Sequence, residues 1–295
     1  MRPAGLALVF LIAAIAAEDA TAACSCDWLC VTGSETDGRL RLLAENRSAV
    51  PLTFTLRLDT RQLQVEGPAE HTETLAPGQS TRLSALERRD VPVRIDHPYR
   101  CQWTIGDEDA IHDDSQVYLL PYARGTSYRV LQGFGSRFSH TGLEEYAVDF
   151  KMDEGTPVYA ARGGVVARIE ESHERGCWSE ECASDANYIV ILHDDGTTGE
   201  YYHLQQNGAL VGVGEQIEAG QKIGLSGNTG HSTLPHLHFG VYRAIGYGKE
   251  QSVPFRFLSA DGIIDRPRRG GLYLATGPRH DVQRVGAEGR QAHGY

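Results

Sequence analysis

The stretch Ser232-Thr233-Leu234-Pro235-His236-Leu237-His238-Phe239 sets two imidazoles two residues apart. In an extended strand alternate residues share a face, so His236 and His238 stand side by side with Leu237 and Phe239 packed behind. One ring can then ligate a metal while the other works on a substrate beside it. Alone, the pattern fits two ordinary surface histidines equally well. Its weight comes from three residues upstream, His140, Asp149 and His203. Together they make a His and Asp set that could gather on one sheet face.

Asp149 lies in Tyr146-Ala147-Val148-Asp149-Phe150. Alternation puts Tyr146, Val148 and Phe150 on one face and leaves Asp149 on the other with small Ala147. A carboxylate among apolar residues is costly to bury unless it is paired or bound to a cation. A structural salt bridge or turn is the rival reading. His140 sits in the turn-like Phe138-Ser139-His140-Thr141-Gly142. From about Tyr128 to Phe257 the chain is strand-rich with glycine at successive turns. Ala160 to Ile169, Tyr188 to His193 and Gly199 to Leu204 read as strands, the last containing His203. Val213 to Leu225 holds two tight turns between short apolar pieces, and no long amphipathic helix is evident.

Upstream, residues 24–120 read as a β-sandwich-like module. Leu52, Phe54, Leu56 and Leu58 alternate with Thr53, Thr55, Arg57 and Asp59, the mark of a half-buried strand. Shorter echoes follow at Val91 to Ile95 and Cys101 to Ile105, separated by turn signals such as Ala76-Pro77-Gly78. His71, His97 and His112 are scattered and assemble no reaction set. Acid-rich Asp107 to Asp114 and then Leu119-Leu120-Pro121-Tyr122 mark the passage into a second module over 121–260. Residues 261–295 form a C-terminal extension, polar and Gly-rich from about Gly277 and expected to be partly flexible. The fold class is mostly β throughout.

Arg2, the uncharged apolar run Ala4 to Ala17 and the small-residue site Ala20-Thr21-Ala22 read as an export signal over 1–23. The run is short for a permanent membrane span. An uncleaved anchor or a lipoprotein acceptor at Cys24 is the weaker alternative. The expected product is exported, periplasmic or secreted, with no stable membrane insertion after processing. Six cysteines agree with an oxidising compartment. Cys177 and Cys182 are expected to close a small loop, a crosslink worth roughly 2 kcal/mol. Cys101 is expected to join one of Cys24, Cys26 and Cys30, with the pairing open. The spacing of those three fits no common zinc knuckle. Net charge is −11, with no basic stripe carrying interleaved aromatics, so nucleic acid is not an expected partner. Arg266, Arg268 and Arg269 read as a solvated turn.

The chain resembles the M23 family of zinc metallopeptidases, the lysostaphin or LytM type that cuts bacterial cell-wall peptides. The resemblance covers roughly Tyr128 to Tyr242. It rests on Ser139 to Gly142, Tyr146 to Phe150, Gly155-Thr156-Pro157-Val158, Tyr202-His203-Leu204, Gly227-Asn228-Thr229-Gly230 and Ser232 to Phe239. It implies an antiparallel β-sheet peptidase domain with Zn²⁺ ligated by His140, Asp149 and His238. The non-ligand histidines of the reaction would be His203 and His236. Many members place the first ligand His four residues before the Asp; Glu145 stands there in this chain, and His140 lies nine before Asp149. An insertion that loops outward would return His140 to the site; Glu145 is the alternative ligand. Were His140 not a ligand, a degenerate non-enzymatic relative would be the reading.

Two imidazoles and a carboxylate leave tetrahedral Zn²⁺ a fourth position for water, the arrangement of catalytic sites. No His-Glu-x-x-His occurs, since His173-Glu174 is followed by Arg175-Gly176-Cys177, so His203 and His236 must supply acid–base chemistry. His193 reads as a turn residue and His231 as a candidate groove lining. Tyr201 and Tyr202 read either as substrate contacts or as core. The Cys177–Cys182 loop reads as a purely stabilising crosslink, with a rim of the groove as the alternative. The expected function is an exported zinc endopeptidase acting on peptidoglycan stem-peptide crosslinks. The rivals are a non-enzymatic cell-wall binding or activator module and a secreted protease for glycine-rich proteins. The N-terminal module would orient substrate, bind a regulatory partner or cover the groove.

Overall fold

Alternating Leu and Thr along Leu52–Leu58 forms one strand of the first module in a computed structural model of the chain. The structure describes residues 28–36, 39–58, 63–65, 67–88 and 99–277. The expected export signal, Cys24, Cys26, the Val91 to Ile95 strand and the tail beyond Gly277 lie outside the described residues. Leu29–Thr36, Arg39–Asn46, Ser80–Arg88 and Leu63–Val65 make one antiparallel sheet; Glu70–Leu75, Leu52–Leu58 and Tyr99–Ile105 make another. Leu29, Val31, Leu42 and Ala44 from the first meet Phe54, Leu56 and Leu75 from the second in one apolar core. Two sheets packed face to face are what the period-2 pattern leads to.

The polar side of Leu52–Leu58 departs from the pattern: Thr53 and Thr55 are buried rather than solvated. Thr53 donates its hydroxyl to Gly106 O at 2.9 Å, and a turn of the second module lies on Thr55. Tyr247 donates its backbone N–H to Thr55 Oγ1 at 2.8 Å. Gly246 (φ 77°) has Thr72 Cγ2 and Thr55 Oγ1 at 3.2 and 3.4 Å from where a Cβ would stand. The threonine hydroxyls also pair across the strands, Thr53 with Thr74 and Thr55 with Thr72. A β-branched polar residue thus serves a buried face once its hydroxyl is satisfied.

The second module is built on a nine-stranded sheet. Its order runs Gln216–Ile217, Gly164–Glu170, Tyr188–Leu192, Thr198–Tyr202, Leu237–Ala244, Val148–Phe150, Ser127–Gln132 and Leu272–Leu274, with Glu250–Ser252 paired to Leu237–Ala244. All these pairings are antiparallel. Val148, Phe150, Ile189, Ile191, Tyr201, Leu237, Phe239 and Val241 point into the main core from one face. Asp149, His238, Tyr202 and Glu200 stand on the other. The expected strand Ala160 to Ile169 begins only at Gly164 and runs to Glu170, because Ala160 to Gly163 form the turn that leads in from Pro157–Tyr159, a strand of another sheet. Leu272–Leu274, in the expected C-terminal extension, instead extends the central sheet beside Ser127–Gln132. Val117–Leu119 pairs in parallel with Arg256–Ser259.

The first module docks on the same sheet face that carries His238, at its far end. Val50, Leu52 and Ile105 pack on Ala167 and Val190. The Arg168 guanidinium lies 5.5–5.7 Å from the ring centres of Trp28, Trp103 and Tyr188. Cys30 is disulfide-bonded, and the expected pairings through Cys24 and Cys26 fall outside the described residues. Cys177 and Cys182 form the expected bridge, with Cα atoms 5.9 Å apart. No helix among the described residues is long and apolar enough to cross a membrane.

Candidate metal centre and groove

Strand register builds the centre. Val148–Phe150 pairs with Leu237–Ala244 so that Asp149 lies directly opposite His238, and Thr198–Tyr202 places Tyr202 opposite His238 on the other side. The flanking Val148, Phe150, Leu237 and Phe239 are fully buried in the core, which forces Asp149 and His238 onto the open face. His140 arrives from outside the sheet. The segment after it turns outward through the 3-10 helix Gly142–Glu144 and returns at Ala147, leaving the His140 ring buried beside Asp149. Glu145, the alternative ligand, is exposed and stands away from the groove.

Three ligand atoms, one each from His140, Asp149 and His238, lie within 4.8 Å of one another. Asp149 Oδ1 is 3.2 Å from His140 Nε2 and 2.9 Å from His238 Nδ1. Its other oxygen accepts from Gln132 Nε2 at 2.6 Å. His140 Nδ1 faces only the Gly133 carbonyl, at 3.3 Å, so Nδ1 carries the proton and Nε2 is bare. That Nε2 is buried and has no hydrogen-bond partner. A bare imidazole nitrogen aimed at a buried carboxylate is unfavourable unless positive charge lies between them. The titration of the groups shows the same demand. Burial works against ionised Asp149, yet the imidazoles of His140 and His238 beside it hold its carboxyl well below the usual range. Burial likewise opposes charge on His238, and the Asp149 carboxylate nevertheless raises its pKa. The donor set of two imidazoles and one carboxylate fits a zinc ion with a position left open.

His203 and His236 stand next to this centre with ring centres 4.6 Å apart. His203 is not within a strand, as its sequence setting suggests. Thr198–Tyr202 ends before it, and its backbone takes φ 63°, turning the ring so that Nδ1–H donates to Thr229 O at 2.7 Å. His236 also precedes rather than begins its strand, and Nδ1–H donates to Leu234 O at 2.8 Å. His236 Nε2 lies 3.9 Å from Asp149 Oδ1. Burial, with the neighbouring His236 and His238, lowers His203 to about 3. Burial also lowers His236, although Asp149 opposes this. Both rings are neutral at pH 7, with one nitrogen anchored on a carbonyl and the other free.

These groups open into a groove with a cavity volume of about 680 Å³. One wall is aromatic: Trp178, 61% exposed, lies 5.3 Å from the ring centre of Phe138 and 5.8 Å from that of His231. Trp178 rides on the Cys177–Cys182 loop, which is fastened by parallel pairing of Gly176–Cys177 with Gly230–His231. None of the described residues of the first module lines the groove. Tyr201 is core, its hydroxyl accepting from Ala161 N–H, while Tyr202 lines a neighbouring cleft against the first module. His193, read from sequence as a turn residue, does open the turn, its carbonyl accepting from Gly196 N–H at 3.2 Å. Its ring is also buried: Nδ1–H donates to Gly163 O at 2.8 Å, and burial lowers it to about 4. Sequence reasoning missed Gln132, Glu144 and Tyr242. Only the long His140–Asp149 spacing hinted that the intervening segment had a part to play.

The family model for peptidase family M23 matches residues 144–253, a span holding Asp149, His203, His236 and His238 and beginning just after His140. The chain is 34% identical over 143 residues to the peptidoglycan DD-endopeptidase ShyA of Vibrio cholerae, covering 44% of this chain and 30% of that protein. It is 36% identical over 131 residues to lysostaphin of Staphylococcus simulans, covering 44% of this chain and 23% of that protein. Among solved structures, the catalytic domain of lysostaphin from Staphylococcus simulans is 35% identical, with 42% of this chain and 88% of that chain covered and a TM-score of 0.32. The chain thus spans less than a third of the length of these two curated relatives.

Proposed function

We propose, from the premise that the chain belongs to peptidase family M23, that it is an exported zinc endopeptidase cutting peptide crosslinks of bacterial peptidoglycan. The observation that carries this reading is the bare, buried Nε2 of His140 facing Asp149 Oδ1 within reach of His238 Nδ1. Those three residues would hold the metal. Bound there, zinc would act as a Lewis acid toward water and the scissile carbonyl.

The chain's own residues supply the rest. Gln132 fixes the second Asp149 oxygen, so the carboxylate cannot rotate away. The Thr229 and Leu234 carbonyls hold the protons of His203 and His236 on Nδ1, which leaves each Nε2 free. A neutral Nε2 can take a proton from water, and the resulting imidazolium can donate to a leaving amine or steady a developing oxyanion. The lowered pKa of His203 keeps that ring neutral well below pH 7, so it starts as an acceptor. The aromatic wall and the open groove suit an extended peptide rather than a small metabolite. Peptidoglycan as the substrate follows the names of the relatives, and export follows the sequence signal.

The test is mass spectrometry of products from a defined set of crosslinked muropeptides, D-amino-acid and glycine bridged, with and without a zinc chelator. Chelator-sensitive scission of a crosslink is the expected result. Intact muropeptides in the presence of stoichiometrically bound zinc would overturn the reading.

A further inference from the structure

The ring of His238 is gripped on the side away from Asp149 by a chain of contacts that the reaction as described does not use. Tyr242 lies four residues on along the strand Leu237–Ala244, on the same face, with Gly240 between. A Cβ at Gly240 would fall 2.4–2.6 Å from Tyr242 Cε2, Cζ and Oη. Glycine there lets the phenol fold back along the strand and bring its hydroxyl 3.1 Å from His238 Nε2. The same hydroxyl donates its single proton to Glu144 Oε2 at 2.6 Å. It must therefore accept from His238, which puts a proton on Nε2 and aims Nδ1 at Asp149 Oδ1. Glu144 comes from Gly142–Glu144, inside the long segment that separates His140 from Asp149. Extra residues between two ligands thus bring a carboxylate to the back of the third.

We infer that Gly240, Tyr242 and Glu144 form a positioning relay that holds His238 in the orientation and tautomer a metal ligand needs. The inference rests on the proposed ligand role of His238. Its physical basis is general. A partner on the far nitrogen fixes the ring, and a carboxylate at the end of the chain raises ligand basicity. Tyr242 is buried, whereas Glu144 is half-exposed at the other end. The relay therefore has one end that can be altered without disturbing the core.

Zinc affinity of the full chain, by competition with a chromophoric chelator, tests this directly. Tyr242→Phe and Glu144→Ala should each weaken binding by about 10–100-fold, the usual loss when such a partner is removed. The double variant should be no weaker than Tyr242→Phe alone, because both changes break one chain. Glu144→Gln, which can still accept from the phenol, should recover much of the affinity, and Gly240→Ala should behave like Tyr242→Phe. Melting of the metal-free protein separates lost affinity from lost folding, and Glu144→Ala carries the test should Tyr242→Phe fold poorly. Affinities for Glu144→Ala and Tyr242→Phe within about twofold of the unaltered chain would overturn the relay, since removing such a partner costs at least about tenfold. An unaltered chain that takes up no zinc would instead remove the ligand assignment beneath it.

Discussion

Asp149 and Glu200 are both buried carboxyls on one face of one sheet, yet they are driven in opposite directions. Burial pushes each toward the protonated form. At Asp149 the imidazoles of His140 and His238 more than offset it, and the carboxyl sits well below the usual range. At Glu200 repulsion from Glu250 adds to burial, and the carboxyl is pushed well above it. The neighbour, not the depth, sets the sign. The two ends of the face differ in access as well. The imidazole end opens into the groove, whereas Glu200 and Glu250 lie in the cleft against Trp103, Thr104 and Ile105 of the first module. Mixed donors with free lone pairs mark a site; like charges under a lid mark an interface under electrostatic load.

The strongest challenge to that contrast is a pair of substitutions, one at each end. His203→Ala should lower kcat by about 10²–10⁴-fold, the range for removing an acid–base group, with zinc content unchanged. Glu200→Gln should leave kcat nearly untouched. Crosslink turnover and metal analysis on both variants decide it, and comparable losses at the two ends would erase the distinction.

A smaller effect sharpens the electrostatic half of the comparison. The folded-state pKa of Glu200, and that of Glu250, is raised above the unfolded value, so their contribution to stability is complete below about pH 4.5, near the free carboxyl. It is lost as pH rises through the folded value. Glu200→Gln removes the load while keeping a hydrogen-bonding group. The variant should melt close to the unaltered chain near pH 4.5 and above it at pH 8, by roughly 2–4 °C per kcal/mol relieved. Calorimetry at the two pH values measures the gap. A gap that stays flat with rising pH would mean that the carboxyls ionise freely when folded, and either a flat or a narrowing gap would overturn the load.

How much of this was legible in the chain depends on what fixes each residue. His238 and Asp149 sit in alternating strands whose apolar partners dictate the open face, so period-2 reading places them. His203 was misplaced in a strand because its φ of 63° comes from a tertiary contact, Nδ1–H to Thr229 O, that no local pattern encodes. At His193 the turn is legible in the sequence but the burial of the ring is not. Asp194-Asp195-Gly196 does make a turn, but the ring before it is drawn inward to Gly163 O. Thr55 looks solvated in sequence and is buried, because the turn that covers it lies 192 residues on, as the Tyr247 to Thr55 bond shows. Glu144 and Tyr242 were invisible as site residues, since each acts through another side chain and neither belongs to a spaced motif.

The mildest expected effect contrasts the aromatic groups at the two ends. Trp28 and Trp103 stack with ring centres 5.3 Å apart and hold Arg168 against Tyr188, so their faces are spent on the module interface. Trp178 is held by a disulfide loop with most of its surface in water, beside Phe138 and above the groove. A loop crosslinked and strand-paired to keep an indole exposed gains nothing for the core, so its benefit should be read in substrate binding. Trp178→Ala removes one aromatic contact worth about 0.5–1.5 kcal/mol, which is a rise in KM of roughly two- to tenfold with kcat unchanged. Trp103→Ala should do the reverse, lowering the melting temperature while leaving KM alone. Steady-state kinetics and melting curves on both variants separate the roles, and a Trp178→Ala enzyme with unaltered KM but reduced stability would reassign that wall to the fold.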